Sequence, residues 1–256
     1  MRLACSSQSY EADLDGGPSL TEWLRFVAEE LGLAGVELED KHIGAPTEER
    51  LAELRGACER YGLTVVDIAF MNNFGLAEET CRQAEEARTL QWMAVSQRLG
   101  ARFLRTFAGW PEGDRNARWP GMISALRSVC GAAERRGVRL VMENHNHRGF
   151  VQTSADVTDI FDAVRSPALG LLLDTGNYLD GLRSIGLTAS LAWHVHAKFT
   201  SVGADGRDPG VDHDAIVPLL RAAGYSGWVS LEYEGAEPSR TAVPRALAYL
   251  RQAIGS

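Results

Sequence analysis

The chain has 256 residues, of which 45% are hydrophobic, and this is enough for one large core or for two small domains. We expect one domain spanning residues 1–256. The 34 acidic and 26 basic side chains give a net charge of −8, which disfavours nucleic acid and anionic membranes as partners. Small polar metabolites fit this charge better.

The cysteines and the apolar runs bear on the cellular compartment. The four cysteines are widely scattered and include no C-x-x-C pair, so we predict reduced thiols at Cys5, Cys58, Cys81 and Cys130. The first thirty residues lack a basic segment followed by a long apolar one, and no later apolar run approaches membrane-spanning length. We therefore expect a cytoplasmic protein that does not contact a membrane.

Short apolar runs alternate with longer amphipathic segments along the chain. The apolar runs predict strands over 2–6, 34–39, 63–70, 101–107, 138–142, 169–174, 191–198 and 228–233. Helical spacing predicts helices over 19–31, 47–61, 77–99, 119–136, 154–164, part of 177–190, 211–223 and 239–254. Ser19 and Glu22 form a capping box at the start of the first helix.

Eight strand and helix pairs in a chain of this length are what a TIM barrel requires, and such a barrel builds its active site at the C-terminal ends of its strands. An open doubly wound sheet is the alternative fold. No G-x-G-x-x-G turn follows an early strand, so a dinucleotide site of that fold is unsupported. We predict an α/β fold consisting of a single (β/α)8 TIM barrel.

Four of the predicted strands end in acidic or imidazole side chains. The stretch VRLVMENHNH, residues 138–147, passes from an apolar run to Glu143, and LGLLLD, LAWHVHAK and WVSLEYE repeat that design. Residues two apart on a strand share a face, so His194, His196 and Lys198 point one way while the residues between them point the other. In a closed barrel one mouth would then collect a set able to hold a divalent cation, namely Glu143, Asp174, His196 and Glu232.

Six segments resemble the xylose isomerase-like TIM barrel family, the sugar phosphate isomerase/epimerase superfamily. They are AEELGLAGVELED, FLRTFAG, LVMENH, LLLDTGN, HVHAKF and GYSGWVSLEYEG, and their order covers essentially the whole chain. The family includes ketose epimerases, hydroxypyruvate isomerases, inosose dehydratases and AP endonucleases. The resemblance implies the same four metal ligands that the face pattern selects.

The resemblance implies one divalent metal ion, with Mn²⁺ first and Mg²⁺, Co²⁺ or Zn²⁺ open. The reaction it implies is metal-assisted proton transfer beside a carbonyl, through a metal-stabilised enediolate. Glu143 and Glu232, on opposite sides of the barrel mouth, would be the catalytic base and acid. This double role requires each carboxylate to keep one oxygen free of the metal.

Five further residues are candidates for substrate binding. Glu37 would reach the barrel mouth or pair with a nearby Lys or Arg. Arg105, inside an apolar strand, would hold a substrate oxygen or neutralise the acids, and Trp110 would stack on a sugar ring or act as a partial lid. His145 and Lys198 flank predicted ligands. Ordinary loop and core hydrogen bonding is predicted for His147 and His194.

Two positions depart from family patterns. Asn177 stands where ketose epimerases carry a His, and Phe199 stands where many members carry an Asp. The loop at 199–203 also lacks the Arg that those epimerases place after the metal-binding His. Direct 3-epimerisation of a free ketose is therefore not favoured.

Three classes of function remain open. The first is a metal-dependent isomerase or epimerase of a small sugar or related hydroxy-keto compound. The alternative is a lyase using the same site, either a dehydratase or a 3-oxo-glycoside eliminase. A sugar-binding or scaffold protein on a catalytically silent barrel is disfavoured because it needs no acidic cluster. Six histidines in an acidic chain disfavour AP endonuclease action. A carbohydrate-like substrate is expected, with a homodimer or homotetramer as possible assemblies.

Overall fold

The barrel is seen in a computed structural model that describes residues 1–15, 17 and 19–255. In this described part, eight parallel strands lie side by side in chain order and the last pairs with the first. The strands are β1 Arg2–Ser6, β2 Gly35–Glu39, β3 Thr64–Ala69, β4 Phe103–Thr106, β5 Leu140–Glu143, β6 Leu169–Asp174, β7 Ala192–Phe199 and β8 Trp228–Tyr233. The predicted (β/α)8 TIM barrel is confirmed.

Helices follow the strands around the outside of the barrel. They are α1 Glu11–Leu14, α2 Leu20–Glu29, α3 Asp40–Ile43, α4 Glu48–Tyr61, α5 Glu79–Leu99, α6 Arg115–Arg136, α7 Ser154–Val164, α8 Leu182–Thr188, α9 His213–Ala222 and α10 Ser239–Ile254. Two 3-10 turns, Ser7–Tyr10 and Ala189–Leu191, were not predicted, nor were α1 and α3. None of the described helices is long and apolar enough to cross a membrane.

Polar side chains set where the helices begin. The predicted capping box is confirmed, because the Ser19 side chain accepts from the Glu22 N–H and the Glu22 carboxylate accepts from the Ser19 N–H. Helix α6 begins at Arg115, four residues earlier than predicted. The Asp114 carboxylate accepts from the Ala117 N–H there, which satisfies one of the free donors of the first turn.

The barrel interior has an apolar lower layer and a polar upper layer. The lower layer consists of Ala4, Val66, Phe103, Val141, Leu172 and Trp228, with Trp193 packed against it. The polar layer lies toward the C-terminal ends of the strands, where His194 and His196 are fully buried. Val195, Ala197 and Phe199 belong instead to the core between strands and helices, which confirms the predicted alternation of faces.

The lower layer leaves no room for a side chain at Gly170. A Cβ atom at this position would lie 2.1 Å from Cδ2 of the Trp193 indole. We expect Gly170→Ala to lower the free energy of unfolding by about 1–3 kcal/mol, because the indole must leave its packed position. Urea unfolding measures this change.

Gly56→Ala is the matched control, since a Cβ at Gly56 in α4 would meet nothing within 4 Å. It should be neutral or stabilise the helix by up to about 1 kcal/mol. Equal effects of the two substitutions would contradict the packing described for Trp193.

The cysteines are free thiols in the structure, as predicted, and Cys81 alone of the four is exposed.

Candidate active site

Four side chains from consecutive strands meet at the C-terminal end of the barrel. The C-terminal parts of β5, β6, β7 and β8 carry, in that order, Glu143, Asp174, His196 and Glu232. One potential ligand atom of each residue lies within 4.8 Å of the others. Nδ1 of His196 is 3.9 Å from Glu143 Oε1, 3.8 Å from Asp174 Oδ2 and 3.5 Å from Glu232 Oε2. Ligand atoms around one cation, each about 2.1 Å from it, are spaced only slightly closer.

The hydrogen bonding of this cluster also fits a cation. Among the described residues, His196 Nδ1, Asp174 Oδ2 and Glu143 Oε2 are buried and have no hydrogen-bond partner. Glu143 Oε2 lies 3.3 Å from Arg105, but His196 Nδ1 and Asp174 Oδ2 lie 3.8 Å apart with no atom of the described residues between them. Buried polar atoms are normally satisfied, so this pair of orphaned atoms is a feature that needs a ligand. A divalent ion would satisfy both atoms, and its charge would offset the buried carboxylates.

His196 is held in orientation by Glu37 on β2. Its Nε2 atom lies 2.8 Å from Glu37 Oε2, which leaves Nδ1 directed toward the acidic cluster. The same Glu37 oxygen is 2.9 Å from Nε2 of His194, and Ser230 Oγ lies 3.0 Å from that nitrogen. Glu37 is fully buried beneath the barrel mouth. Its partners are two histidines in place of the Lys or Arg considered above.

Asparagine side chains fix the two acids that face each other across β5 and β6. Asn144 accepts from the Asp174 N–H at 2.8 Å and donates to the Asp174 carbonyl at 3.0 Å. The Gly176 N–H donates to Asp174 Oδ1 at 2.7 Å, which leaves Oδ2 free. Asn177, at the position of the family's histidine, donates to Glu143 Oε1 at 3.3 Å. The bonds from Asn144 hold the main chain at Asp174, and those from Gly176 and Asn177 orient the two carboxylates without neutralising them.

The two proposed catalytic glutamates lie in different electrostatic surroundings. Burial raises the pKa of Glu143 to about 8, although Arg105 lies 3.3 Å away and opposes this rise. Burial also disfavours the charged form of Glu232, but Lys198, 2.8 Å away, holds its pKa well below the ordinary value. Carboxyl groups whose pKa values are driven apart in this way are suited to opposite roles in proton transfer.

A cavity of about 380 Å³ opens directly above the cluster. It is lined by Gln8, Glu39, Asp40, Lys41, Met71, Arg105, Phe107, Glu143, His145, Lys198, Glu232 and Glu234. This volume is at the small end of the range for ligand pockets. The cavity therefore suits a compact polar ligand.

Every cation lining this cavity has an acidic partner. Arg105 lies 3.3 Å from a carboxylate oxygen of Glu39 and, as noted, 3.3 Å from Glu143. Lys198 lies 2.5 Å from Glu234 in addition to its contact with Glu232. Lys41 pairs with Glu11. The cavity thus presents neutralised positive groups and several carboxylates.

One wall of the site is aromatic. The Phe107 ring lies 5.1 Å from the Trp110 ring and 5.5 Å from the His145 ring, centroid to centroid, and Trp110 and His145 are 5.3 Å apart. His145 lines the main cavity, whereas Trp110 lines a narrow extension next to it. Burial lowers the pKa of His145 to about 4, so its imidazole is neutral at pH 7. His147 lies in the loop, with its Nδ1 atom 3.3 Å from Nδ1 of His145.

Two buried acids near the site did not figure among the predicted site residues. Glu39 forms the ion pair with Arg105, and its place on the same strand face as Glu37 was the available signal. Asp67 of β3 is fully buried, neither carboxylate oxygen has a partner among the described residues, and burial raises its pKa well above the ordinary value. A single acid within the apolar run TVVDIA was the signal for Asp67.

Comparison with known proteins identifies the family. The family model described as xylose isomerase-like TIM barrel matches residues 26–253. The chain belongs to the xylose isomerase-like TIM barrel family. This result confirms the resemblance stated from the six sequence segments.

Curated relatives match parts of the chain. Over 50 residues it is 40% identical to the alpha subunit of a 3'-dehydrocarminate deglycosidase from a Microbacterium species, a match covering 19% of this chain and 14% of that protein. Over 112 residues it is 30% identical to 3-oxo-isoapionate decarboxylase from Pectobacterium atrosepticum, a match covering 42% of this chain and 38% of that protein. Both matches span well under two thirds of the relatives' length.

Solved structures share the complete fold. A 3-keto-D-glucoside 4-epimerase from E. coli superposes with a TM-score of 0.80 at 20% identity, covering 98% of this chain and 99% of that one. The IOLI protein with a bound zinc atom superposes with a TM-score of 0.83 at 16% identity, covering 100% of this chain and 98% of that one. At these identities the likeness concerns the fold alone.

Proposed function

We propose that the chain is a divalent-metal-dependent isomerase or epimerase of a keto sugar or a related hydroxy-keto compound. The observation that carries this proposal is the buried cluster of Glu143, Asp174, His196 and Glu232 beneath a cavity open to a small ligand. Burying three carboxylates together is costly even beside Arg105 and Lys198, and barrel packing does not require it. A bound cation gives the cluster a function.

The four residues of the cluster are the proposed metal ligands, with Mn²⁺ first and Mg²⁺, Co²⁺ or Zn²⁺ as alternatives. A cation held there would polarise the substrate carbonyl and stabilise the charge that develops when the neighbouring carbon loses a proton. Glu143 and Glu232 would transfer that proton, one removing it from the carbon and the other returning one. The contact with Lys198 keeps Glu232 ionised for this purpose.

The substrate we propose is uncharged in the part that fills the cavity. Arg105, Lys198 and Lys41 are already paired with carboxylates, so a phosphate or carboxylate entering the cavity would meet no free cation from the described residues and would have only the metal. The carboxylates of Glu39 and Glu234 would instead accept hydrogen bonds from sugar hydroxyls. The aromatic wall at His145 offers an apolar surface to a sugar face.

A lyase is the second candidate, and the relatives favour it specifically. One relative is named a deglycosidase of a 3'-dehydro compound and another a decarboxylase of a 3-oxo compound. Elimination starts with the same loss of a proton beside a ketone and then expels a group from the next carbon. The same site would therefore serve either outcome, with 3-oxo-glycosides as the substrate class to test.

Proton exchange in heavy water tests both candidates together. The metal-loaded protein is incubated in D₂O with ketoses, keto-inositols and 4-nitrophenyl 3-oxo-glucoside, and products are followed by NMR. We expect deuterium at the carbon beside the ketone. An isomerised or epimerised sugar identifies the first function, and released nitrophenol or an enone identifies the second. No exchange and no product with any of these compounds would contradict the proposal.

Glu37 gives a prediction that is independent of turnover. Glu37→Gln should weaken divalent-metal affinity by about 10–100-fold, because the carboxylate that orients His196 and raises its basicity is lost. The matched control is Glu30→Gln, at the exposed residue that follows α2. Calorimetric titration of metal-free protein measures both variants. Unchanged affinity in Glu37→Gln would show that Glu37 has only a packing role.

A further inference from the structure

A second cavity lies at the opposite, N-terminal face of the barrel. Its volume is about 320 Å³, and its floor is formed by Phe103 and Trp193, next to the apolar lower layer. The loop 223–227 before β8 forms one wall, and Ala189 and Ser190 form another. The whole lower layer separates this cavity from the candidate active site.

Two arginines from adjacent strands line this second cavity. Arg102 immediately precedes β4 and Arg139 immediately precedes β5, and these two strands are neighbours in the barrel, so both side chains line one cavity. The Arg139 guanidinium carbon lies 5.8 Å from the centre of the Trp193 ring, which directs this group along the cavity floor. Both arginines are exposed to solvent.

Neither guanidinium group has an acidic partner in the described part of the chain. Across the described residues, the ion pairs that involve arginine are formed by Arg25, Arg50, Arg55, Arg88, Arg98, Arg105, Arg115, Arg207, Arg240 and Arg245. No Asp or Glu lines the second cavity, as far as the described residues go, and Ser190 and Ser226 supply its hydroxyl groups. The two arginines make the electrostatic potential of this cavity positive, which is opposite in sign to the net charge of −8.

The geometry points to a binding site for a phosphate monoester at this second cavity. Two guanidinium groups match the charge of close to −2 that a phosphate monoester carries at neutral pH, whereas one would suffice for a carboxylate. Each guanidinium can offer two parallel N–H donors to the phosphate oxygens. The indole of Trp193 and the ring of Tyr225 would contact the sugar or other body of the ester. This site is separate from the proposed reaction, whose cavity favours an uncharged substrate.

Fluorescence and calorimetric titration of the 256-residue chain test this site. The probes are inorganic phosphate and glucose 6-phosphate, with glucose as the uncharged comparison. We expect saturable binding of glucose 6-phosphate with quenching of indole fluorescence, weaker binding of inorganic phosphate and none of glucose. Arg102→Ser and Arg139→Ser should each weaken binding by at least about tenfold, the loss of one charge-assisted contact. In Trp193→Phe the fluorescence change should disappear while binding remains detectable by calorimetry.

Arg60→Ser and Arg135→Ser are the matched controls, because each removes one exposed positive charge away from this cavity. They should bind glucose 6-phosphate as the unmodified protein does. Equal weakening in these controls would show that general electrostatic attraction accounts for the binding, and it would contradict a specific site at this cavity. No saturable binding at about 10 mM, or equal binding of glucose, would also overturn it. Circular dichroism confirms that the compared variants are folded.

Discussion

Glu143→Gln is expected to lower turnover by a factor of about 10²–10⁴, the range associated with the loss of a positioned proton-transfer group. Glutamine keeps the shape of the side chain and one potential oxygen ligand, but it cannot take up the substrate proton. The Asn177 side chain beside it would hold the new amide in place of the carboxylate. The metal affinity should fall much less than turnover falls.

The test pairs a rate measurement with metal analysis on the same samples. Turnover is measured at saturating metal on the substrate that shows deuterium exchange, and bound metal is measured after gel filtration. Glu30→Gln serves as the control for removing one exposed carboxylate. Full turnover in a Glu143→Gln protein that retains its metal would restrict Glu143 to ligation and refute its proposed role as a proton-transfer group.

Arg105→Leu should lower the free energy of unfolding of the metal-free protein by about 3–5 kcal/mol, the range found when one partner of a buried ion pair is removed. Arg105 is 4% exposed and lies 3.3 Å from carboxylate oxygens of both Glu39 and Glu143. Its removal leaves two buried carboxylates without their main counter-charge. The leucine retains part of the packing against Phe107, whose ring centre is 4.8 Å from the guanidinium carbon.

Urea unfolding in the presence of a chelator measures this change. The control is Arg25→Leu, which breaks an exposed pair with Glu29 and should cost only about 0.3–0.5 kcal/mol. Arg105→Leu combined with Glu39→Gln should recover part of the loss, because one of the uncompensated charges is then absent. A cost below that of Arg25→Leu would contradict the described role of Arg105.

The effect of Arg105→Leu should depend on pH in a defined direction. Burial already raises the pKa of Glu39 to about 7 while Arg105 opposes this rise, so loss of Arg105 raises it further. Below the unfolded-state pKa of about 4.5 the carboxyl is protonated in both states, and the charge contributes no cost. Between about 4.5 and 7 the folded carboxyl stays protonated with or without Arg105, so the destabilisation by Arg105→Leu should grow only as pH rises through about 7, and it should be smaller at pH 5 than at pH 8.

The convergence of the cluster could be predicted from the sequence because it depends on two local rules. Strand alternation placed His196 on the inner face, and the closed parallel barrel brings strand ends together at one mouth. Asp174 and His196 are direct neighbours in the register of β6 and β7. A one-residue shift of a strand would have turned its polar side chains outward. The apolar residues that must face the helices therefore also determine which residues face the barrel interior.

The partners of the buried charges could not be predicted in the same way. Glu37 on β2 contacts His194 and His196 on β7, a strand that is not its neighbour in the barrel. Such contacts across the interior depend on strand tilt and stagger, which no local pattern encodes. Register irregularities between Val36 and Glu37 and between Leu171 and Leu172 shift the facing residues further.

The short elements at the barrel mouth also escaped prediction. Helices α1 and α3 have four residues each, which is too short for a 3.6-residue hydrophobic period to be recognised. They matter because Lys41 of α3 lines the candidate active site and pairs with Glu11 of α1. Tertiary contact rather than local propensity stabilises elements of this length.

Metal content is the most direct test of the central claim. The protein and its double variant Glu143→Gln, Glu232→Gln are stripped with a chelator, loaded separately with Mn²⁺, Mg²⁺, Co²⁺ and Zn²⁺, and analysed for bound metal. We predict about one divalent ion per chain in the unmodified protein and a marked loss of binding in the variant, because two of the four ligands are then neutral amides. No bound ion in the unmodified protein under any of these loading conditions would contradict a metal centre at the mouth of this barrel.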